Sequence, residues 1–375
     1  MEKLITWDKA TWELPHIIRG FENLKEKAWD KVLTCLTWAR PSGRLHLGHY
    51  VWALNNWIKL QECSNVKTNF LIADYQVLWD HLWETEILRA SVIDMVIDWL
   101  AVWLDPEKSN FIVQSYVPEF AELFNYLTMF VPYSLATNNP TLKEEMKKIE
   151  SRESENNSIS LGFINYPVSQ VADIMLLWWE IVPVWEDQIP HIELSRKVIK
   201  KINTMYGTNF PIPKVLVSET PRLVWIDGNN KMSKSLGNTI YLTATPKEIK
   251  EQVNKMYTDP GKINIDSKWD ISNHVAFMYL DIFYKNKEHL DQLKKRYVEW
   301  WPESVGDWEI KKLLIEVLEE FISPIRERRE YYKNHMDIVV ASIEKWSKNA
   351  RAEWQKLIRT LREAMGLVDY WKEYL

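Results

Sequence analysis

Val32-Leu33-Thr34-Cys35-Leu36-Thr37-Trp38-Ala39-Arg40-Pro41-Ser42-Gly43-Arg44-Leu45-His46-Leu47-Gly48-His49 passes from a short apolar run, through a turn, into a helical pattern that continues to Leu60. The apolar run is rich in branched residues and predicts a buried strand, while Pro41-Ser42-Gly43 supplies turn chemistry. His46 and His49 stand three residues apart at the mouth of the helix. Both imidazoles can therefore point at an anion held by the helix N-terminus. The four-residue string by itself is equally compatible with a surface turn carrying incidental histidines.

The alternation continues downstream. Phe70-Leu71-Ile72-Ala73 and Phe111-Ile112-Val113 are further strand-like runs, with a helical pattern from Ile87 to Trp99 between them. Strand and helix in alternation predict an α/β fold: a doubly wound, Rossmann-like parallel sheet over 32–245, with its site at the carboxyl ends of the strands. From Pro246 the strand pattern stops, and charged helical stretches (Trp308 to Phe321, Pro324 to Met365) predict an all-helical domain over 246–375. Arg326 through Arg362 carries ten Lys/Arg against five Asp/Glu. The plainer reading of that run is a solvated helix face; the functional one is a surface for phosphates. Residues 1–31 form an N-terminal extension of unknown role, in which Ile5 to Leu14 looks like a degraded copy of Leu36 to Leu45.

The chain has 375 residues, is 46% hydrophobic and 26% charged, and carries a net charge of −5, enough apolar content to bury a sizeable core. Disordered and collagen-like classes are excluded. The N-terminus lacks a basic, then apolar, leader, and the most apolar segment, Ile174 to Val184, is interrupted by Glu180 and too short for a bilayer. A soluble, cytoplasmic protein without membrane attachment is expected. Cys35 and Cys63 are the two cysteines, which excludes a disulfide framework and a zinc site built from several thiolates.

A second motif lies far downstream: Gly228-Asn229-Asn230-Lys231-Met232-Ser233-Lys234-Ser235-Leu236-Gly237-Asn238. Two lysines among hydroxyls and glycines make a cationic loop suited to a pyrophosphate that gains charge as it leaves. Alone it reads as a basic surface loop. In this order, on an α/β fold, the two strings together are very hard to obtain by chance.

On these motifs the sequence resembles class I aminoacyl-tRNA synthetases, and within them the tryptophanyl enzymes of bacteria, from about Val32 to Gly366. Further stretches carry the likeness: Leu100 to Ser109, Tyr166-Pro167-Val168 with Ala172-Asp173-Ile174, Val182 to Gln188 with His191-Ile192-Glu193-Leu194, and Pro324 to Arg329. The resemblance implies that a tryptophan carboxylate attacks the α-phosphorus of ATP, that pyrophosphate leaves with Mg2+, and that the aminoacyl group passes to tRNA(Trp). Such catalysis is mostly positioning and charge stabilisation. It implies no metal held by protein ligands. It also implies a homodimer.

Matched residue by residue, His46 and His49 would contact the ATP phosphates, and Lys231 and Lys234 the leaving pyrophosphate. Gly48 would leave room for adenine. Arg40, Met232, Ser233 and Ser235, which belong to the two signatures, and the turn positions Trp38 and Trp185 fall on the nucleotide side. Asp187 and Gln188 would line the ribose and amino-acid side, Tyr166 would help hold the α-amino group, and Asp173 would accept the indole N–H. An Asp on such a helix is more often capped or exposed, but a buried carboxylate needs a donor, and indole is a donor only. Gln170 stands where many bacterial tryptophanyl enzymes carry Met, which weakens the carry-over of pocket details. Tyr166, Gln170 and Asp173 also resemble tyrosyl enzymes; Glu186 to Leu194 tips the balance to tryptophan.

Composition holds one anomaly. Glycine usually makes up about 7% of a chain, roughly 26 residues at this length. Here there are 10 glycines and 21 tryptophans. Against the family pattern, Trp38, Trp52, Trp103, Trp185, Trp225, Trp308, Trp346 and Trp354 occupy glycine positions, where bulky side chains are poor choices for tight turns. The pattern fits a gene that reads UGA as glycine but was translated with UGA as tryptophan. At Trp185 the ring is expected to fill the nucleotide site or push the turn outward. A catalytically silent RNA-binding paralogue is the reading from outside enzymes: Trp38 and Trp185 favour it and the two intact signatures oppose it.

Overall fold

Strand β2 (Leu33–Ala39) lies inside a six-stranded, all-parallel sheet in a computed structural model that describes residues 16–20, 32–79, 85–150, 159–176, 180–217, 238–258, 271, 274–298 and 305–368. The other strands are β1 (Ile17–Arg19), β3 (Val66–Ile72), β4 (Asn110–Val113), β5 (Ile181–Val184) and β6 (Lys214–Val217), in the order β1-β6-β5-β2-β3-β4. β4 is buried at every position, the pattern of a strand covered on both faces.

Chain progress reverses direction between β2 and β5, and these neighbours share a single register pair, Cys35 with Ile181. The ladder does not reach Ala39 or Val184, so a crevice can open between the carboxyl ends of the two strands. Ligand sites of doubly wound sheets sit at this switch point. Residues 40–49 leave β2 there, and residues 185–188 leave β5.

The helices follow in order: α1, made of an α-turn (Leu47–His49), a π-helical stretch (Tyr50–Leu54) and an α-helical end (Asn55–Gln61); α2 (Thr85–Ala101); α3 (Glu119–Phe130); α4 (Tyr133–Thr137); α5 (Pro140–Glu150); α6 (Leu161–Met175); and α7 (Ile189–Tyr206). The C-terminal part comprises α8 (Pro246–Asn254), α9 (Val275–Phe283), α10 (Lys287–Val298), α11 (Asp307–Asn334) and α12 (Met336–Ala364). The expected α/β architecture with a helical C-terminal region is therefore present.

One detail differs from expectation and one adds to it. Pro324 lies inside α11 rather than beginning a new helix, and the break comes at His335. Ile310, Leu314, Val317, Leu318, Ile322 and Ile325 bury one continuous stripe across the proline, which holds the helix together despite the missing N–H. Part of the basic run, solvent-exposed as a solvated face would be, also pairs with the sheet domain. Lys345 pairs with Glu107 at 2.9 Å, Arg351 with Glu119 at 3.0 Å and Arg362 with Glu122 at 3.7 Å, so these cations, each still about half exposed, also fasten α12 to the sheet domain.

The helical region shares its cores with the sheet. One cluster joins Leu47, Phe70 and Trp99 to Ile249, Phe277, Leu314 and Val339; another joins Leu36, Ile112 and Val182 to Trp354, Leu357 and Leu361. At the opposite edge, β1 from the N-terminal extension pairs with β6, its flanking His16 contacts Glu193 at 2.5 Å, and its Arg19 contacts Glu186 at 3.2 Å. That segment supplies an edge strand, a role the repeat-like reading of Ile5 to Leu14 did not anticipate; Ile5 to Leu14 themselves lie outside the described residues.

Candidate active site

The His46-Leu47-Gly48-His49 turn is held from its backbone. Leu242 N–H donates to Leu45 O at 3.0 Å, Leu47 N–H donates to Ile240 O at 2.9 Å, and His46 bridges Tyr241. Gly43, with φ of 91°, makes the preceding turn. His46 N–H donates to His49 Nδ1 at 3.1 Å, and the two rings lie 3.8 Å apart. Because Nδ1 accepts, a neutral His49 carries its proton on Nε2, where it can donate to an anion. His46 and Gly48 are buried. A π-helical stretch follows at once, a backbone irregularity that often accompanies functional sites.

A cavity of about 560 Å³ opens beside this turn at the switch point. Arg40, Ser42 and His49 line one side; Tyr166, Gln170 and Gln188 face it from α6 and the turn after β5. These residues from the two sequence regions are thus brought together. Gln170 Oε1 and His191 Nε2 are buried and have no hydrogen-bond partner among the described residues, so a polar ligand group has work to do there. Burial pushes the Tyr166 phenol well up, with Glu145 adding to the effect, and keeps it a neutral donor. Burial also lowers His191 to about 3, leaving a neutral imidazole whose Nδ1 lies 3.2 Å from Asn139 Nδ2.

Asp173 sits one layer back. It is 3% exposed and accepts from Gln114 Nε2 at 2.6 Å and from Gln76 Nε2 at 3.0 Å. Burial raises its carboxyl well above the usual range, and the two amide donors oppose that rise. Gln76, rather than Asp173, lines the large cavity. Asp187 is exposed on the 3-10 turn Glu186–Gln188, where its carboxylate accepts from Gln188 Nε2 at 3.1 Å and its carbonyl accepts from Thr141 Oγ1 at 2.8 Å. Lys231, Met232, Ser233, Lys234 and Ser235 lie outside the described residues, as does Trp225.

Gln76, Gln114 and His191 were missed as site residues. Gln76 and Gln114 follow the ends of β3 and β4 within a few positions, so the carboxyl-end rule applied to every strand would have found them.

The tryptophans divide. Trp185 has φ of −81° and ψ of 162°, a conformation open to any residue, so its turn does not require glycine on backbone grounds. Its ring lies 6.4 Å from that of Trp52, and both line a second hollow of about 140 Å³ with Trp38 and Trp57. Trp103 is different: with φ of 67° it is the sole non-glycine residue of positive φ among those described. That conformation is disfavoured for a bulky side chain.

A parallel sheet with its cavity at the switch point, a histidine pair on a helix N-terminus and a cationic signature downstream define a class I synthetase site. The profile of the family described as tRNA synthetases class I (W and Y) matches residues 28–323, and the chain belongs to this family. Its relatives narrow the field: the tryptophan–tRNA ligase of Clostridium longisporum is 38% identical over 335 residues, covering 88% of this chain and 96% of its own. That of Lactococcus lactis is 39% identical over 343 residues, covering 90% and 99%. The crystal structure of tryptophanyl-tRNA synthetase from Campylobacter jejuni complexed with ADP and tryptophan superposes with a TM-score of 0.78 at 29% identity, covering 89% of this chain and all of that one.

Proposed function

We propose that this chain is an ATP-dependent ligase that activates L-tryptophan as the aminoacyl-adenylate and transfers it to tRNA(Trp). The observation that carries this reading is the cavity joining the His46/His49 turn to Tyr166, Gln170 and Gln188. Arg40, Ser42 and His49 supply positive charge and O–H or N–H donors on one wall, suited to phosphates. The other wall is aromatic and amide-rich, suited to an amino acid bearing an indole. Gln76 and Gln188 orient tryptophan, with Asp173 fixing the Gln76 amide from behind rather than meeting the indole directly. Asp187 lies on the ribose side with Trp185, Trp38 and Gly48 around the nucleotide.

Catalysis is by positioning. His49 Nε2–H donates to a phosphate oxygen, His46 restrains it, and the Lys231 to Ser235 loop neutralises the departing pyrophosphate. In sequence Lys234 is six positions before Ile240, whose carbonyl accepts from Leu47 N–H. Bound with ATP, magnesium would neutralise charge on the phosphates.

Residues 32–245 form the catalytic unit, 246–375 the tRNA-binding part, and the N-terminal extension braces β6 and the turn that bears Asp187. The enzyme works in the cytoplasm as a homodimer; no described helix is long and apolar enough to cross a membrane. Tryptophan-dependent ATP–pyrophosphate exchange, with tyrosine alongside, tests the reading. Exchange with tryptophan and none with tyrosine is expected; the reverse would assign the tyrosyl activity.

Trp38, Trp52, Trp103, Trp185, Trp225, Trp308, Trp346 and Trp354 stand for glycines encoded by UGA. The φ of 67° at Trp103 supports this reading. UGG codons in the gene at Trp38, Trp103 and Trp185 would overturn it.

A further inference from the structure

Glu145, on α5, is the one carboxylate among the described residues that line the large cavity, and Arg40 is the one guanidinium; no lysine lies among them. Glu145 is half-buried, and no cation of a described residue pairs with it. Burial first, and then the Glu145 carboxylate, keep the Tyr166 phenol of the same cavity protonated. Gln170 and His191 line the cavity too, and Gln170 Oε1 and His191 Nε2 are buried without a partner among the described residues.

Hydrogen bonding fixes the polarity of these groups. Asn139 Oδ1 accepts from Thr141 N–H at 3.0 Å and from Leu142 N–H at 3.3 Å, so its amide nitrogen is the donor to His191 Nδ1 at 3.2 Å. A neutral His191, 1% exposed, then carries its proton on Nε2. The same Asn139 ties the opening of α5 to α7 and so places Glu145, one turn further along α5, against the cavity. Arg40, Ser42, His49 and His191 are therefore donors, whereas Glu145 and Gln170 Oε1 accept. Phosphates and a substrate carboxylate only accept, so the two acceptors are misplaced for them and suited to an ammonium.

We propose that Glu145 binds the α-ammonium of tryptophan, with Gln170 Oε1 as a second acceptor in the same cavity. This rests on the reading of the cavity as the tryptophan site and adds the group that selects an amino acid there. Adenylate formation consumes only the carboxylate, so an indole acid without an amine could react unless a contact to the amine excludes it. A desolvated ammonium is costly without an anionic partner, and a charge-assisted bond to Glu145 is stronger than one to a neutral amide.

The test is Glu145→Gln in the full chain, with calorimetric titration of three ligands: L-tryptophan, tryptamine, which keeps the ammonium and lacks the carboxylate, and indole-3-propionate, which lacks the ammonium. Loss of a charge-assisted bond should raise Kd for tryptophan and tryptamine about tenfold. Indole-3-propionate, which retains the indole N–H, should stay within about twofold, as should KM for ATP in the exchange assay. The wild type should bind tryptophan about tenfold more tightly than indole-3-propionate, and the variant should bind the two nearly alike.

Equal losses for all three ligands, an unchanged tryptophan Kd, or a rise confined to the ATP KM would overturn the proposal. If Glu145→Gln does not fold, the wild type decides, and tryptophan binding no tighter than that of indole-3-propionate has the same force. Failure of the wider reading looks different. A wild type that binds tyrosine and not tryptophan removes the tryptophanyl assignment, and Glu145 is then judged by the same comparison among tyrosine, tyramine and 3-(4-hydroxyphenyl)propionate.

Discussion

Two helices of this protein end in the same backbone motif with opposite residues at its critical position. At the end of α12, Gly366 has φ of 72°, with Gly366 N–H donating to Glu363 O at 3.1 Å and Leu367 N–H to Arg362 O at 2.8 Å. At the end of α2, Trp103 has φ of 67°, with Trp103 N–H donating to Leu100 O at 3.3 Å and Leu104 N–H to Trp99 O at 3.0 Å. Both are Schellman ends, which glycine makes without strain. A side chain in this conformation costs on the order of 1–2 kcal/mol.

The α2 end is heavily reinforced. Arg328 from α11 donates to Leu100 O at 2.8 Å and to Ala101 O at 3.2 Å, its guanidinium lies 5.5 Å from the Trp103 ring, and Gln61 Nε2 donates to Trp103 O at 2.8 Å. Leu104 beyond it is buried at 1% exposure and leads toward β4, so the chain must turn here whatever residue occupies 103. The comparison teaches that the backbone path at the α2 end is imposed by its surroundings, and the tryptophan is carried along.

The largest expected effect concerns the charge α2 buries and the α12 end does not. Asp98 titrates near 6 in the folded protein and near the ordinary carboxylate value when unfolded, so its raised value costs stability as pH climbs from about 4 to 6. Relative to Asp98→Asn, the wild-type unfolding free energy should fall by up to about 3 kcal/mol across that window and change little more above it. Parallel urea titrations from pH 4 to 7.5 read this directly, and parallel pH curves for the two proteins would show that Asp98 is not strained by burial.

Next comes the clamp. Arg328→Ala strips the donors from two carbonyls at the α2 end and should lower stability by about 1–3 kcal/mol. Arg362→Ala, which breaks a half-exposed 3.7 Å pair with Glu122 at the α12 end, should cost less than about 1 kcal/mol. Equal losses in urea unfolding would erase the asymmetry.

Residue exchange at the two critical positions gives smaller effects. A Cβ on Gly366 would meet nothing within 4 Å, so Gly366→Ala should cost about 1 kcal/mol from φ alone. Trp103→Gly relieves the strain but frees the unfolded chain and gives up ring contact at a 40% exposed site, for a net gain of about 0.5 kcal/mol in thermal unfolding. A clear loss at Trp103→Gly would mean that the indole is an integral part of the α2 end.

The sequence by itself determined what depends on near neighbours: the strand, turn and helix from Leu33 through Gln61, the alternation that makes a parallel sheet, the histidine pair and the helical second half. Periodicity and turn chemistry act over a few residues, and these elements carry their signals within themselves. Only the tertiary structure decided which distant residues meet. Gln76 and Gln114 reach Asp173 from the ends of two different strands, and Arg329 meets Asp98 from a helix at the other end of the chain. Neither meeting leaves a pattern in sequence, because each depends on strand order and helix packing. Packing likewise overruled the local signal at Pro324, which a buried stripe keeps inside α11, and brought part of the exposed basic run of α12 to carboxylates on the sheet domain. At Trp103 the usual glycine stop signal is missing from the sequence, and the turn was fixed by Leu104 in the core and by Arg328 and Gln61 on the carbonyls around it.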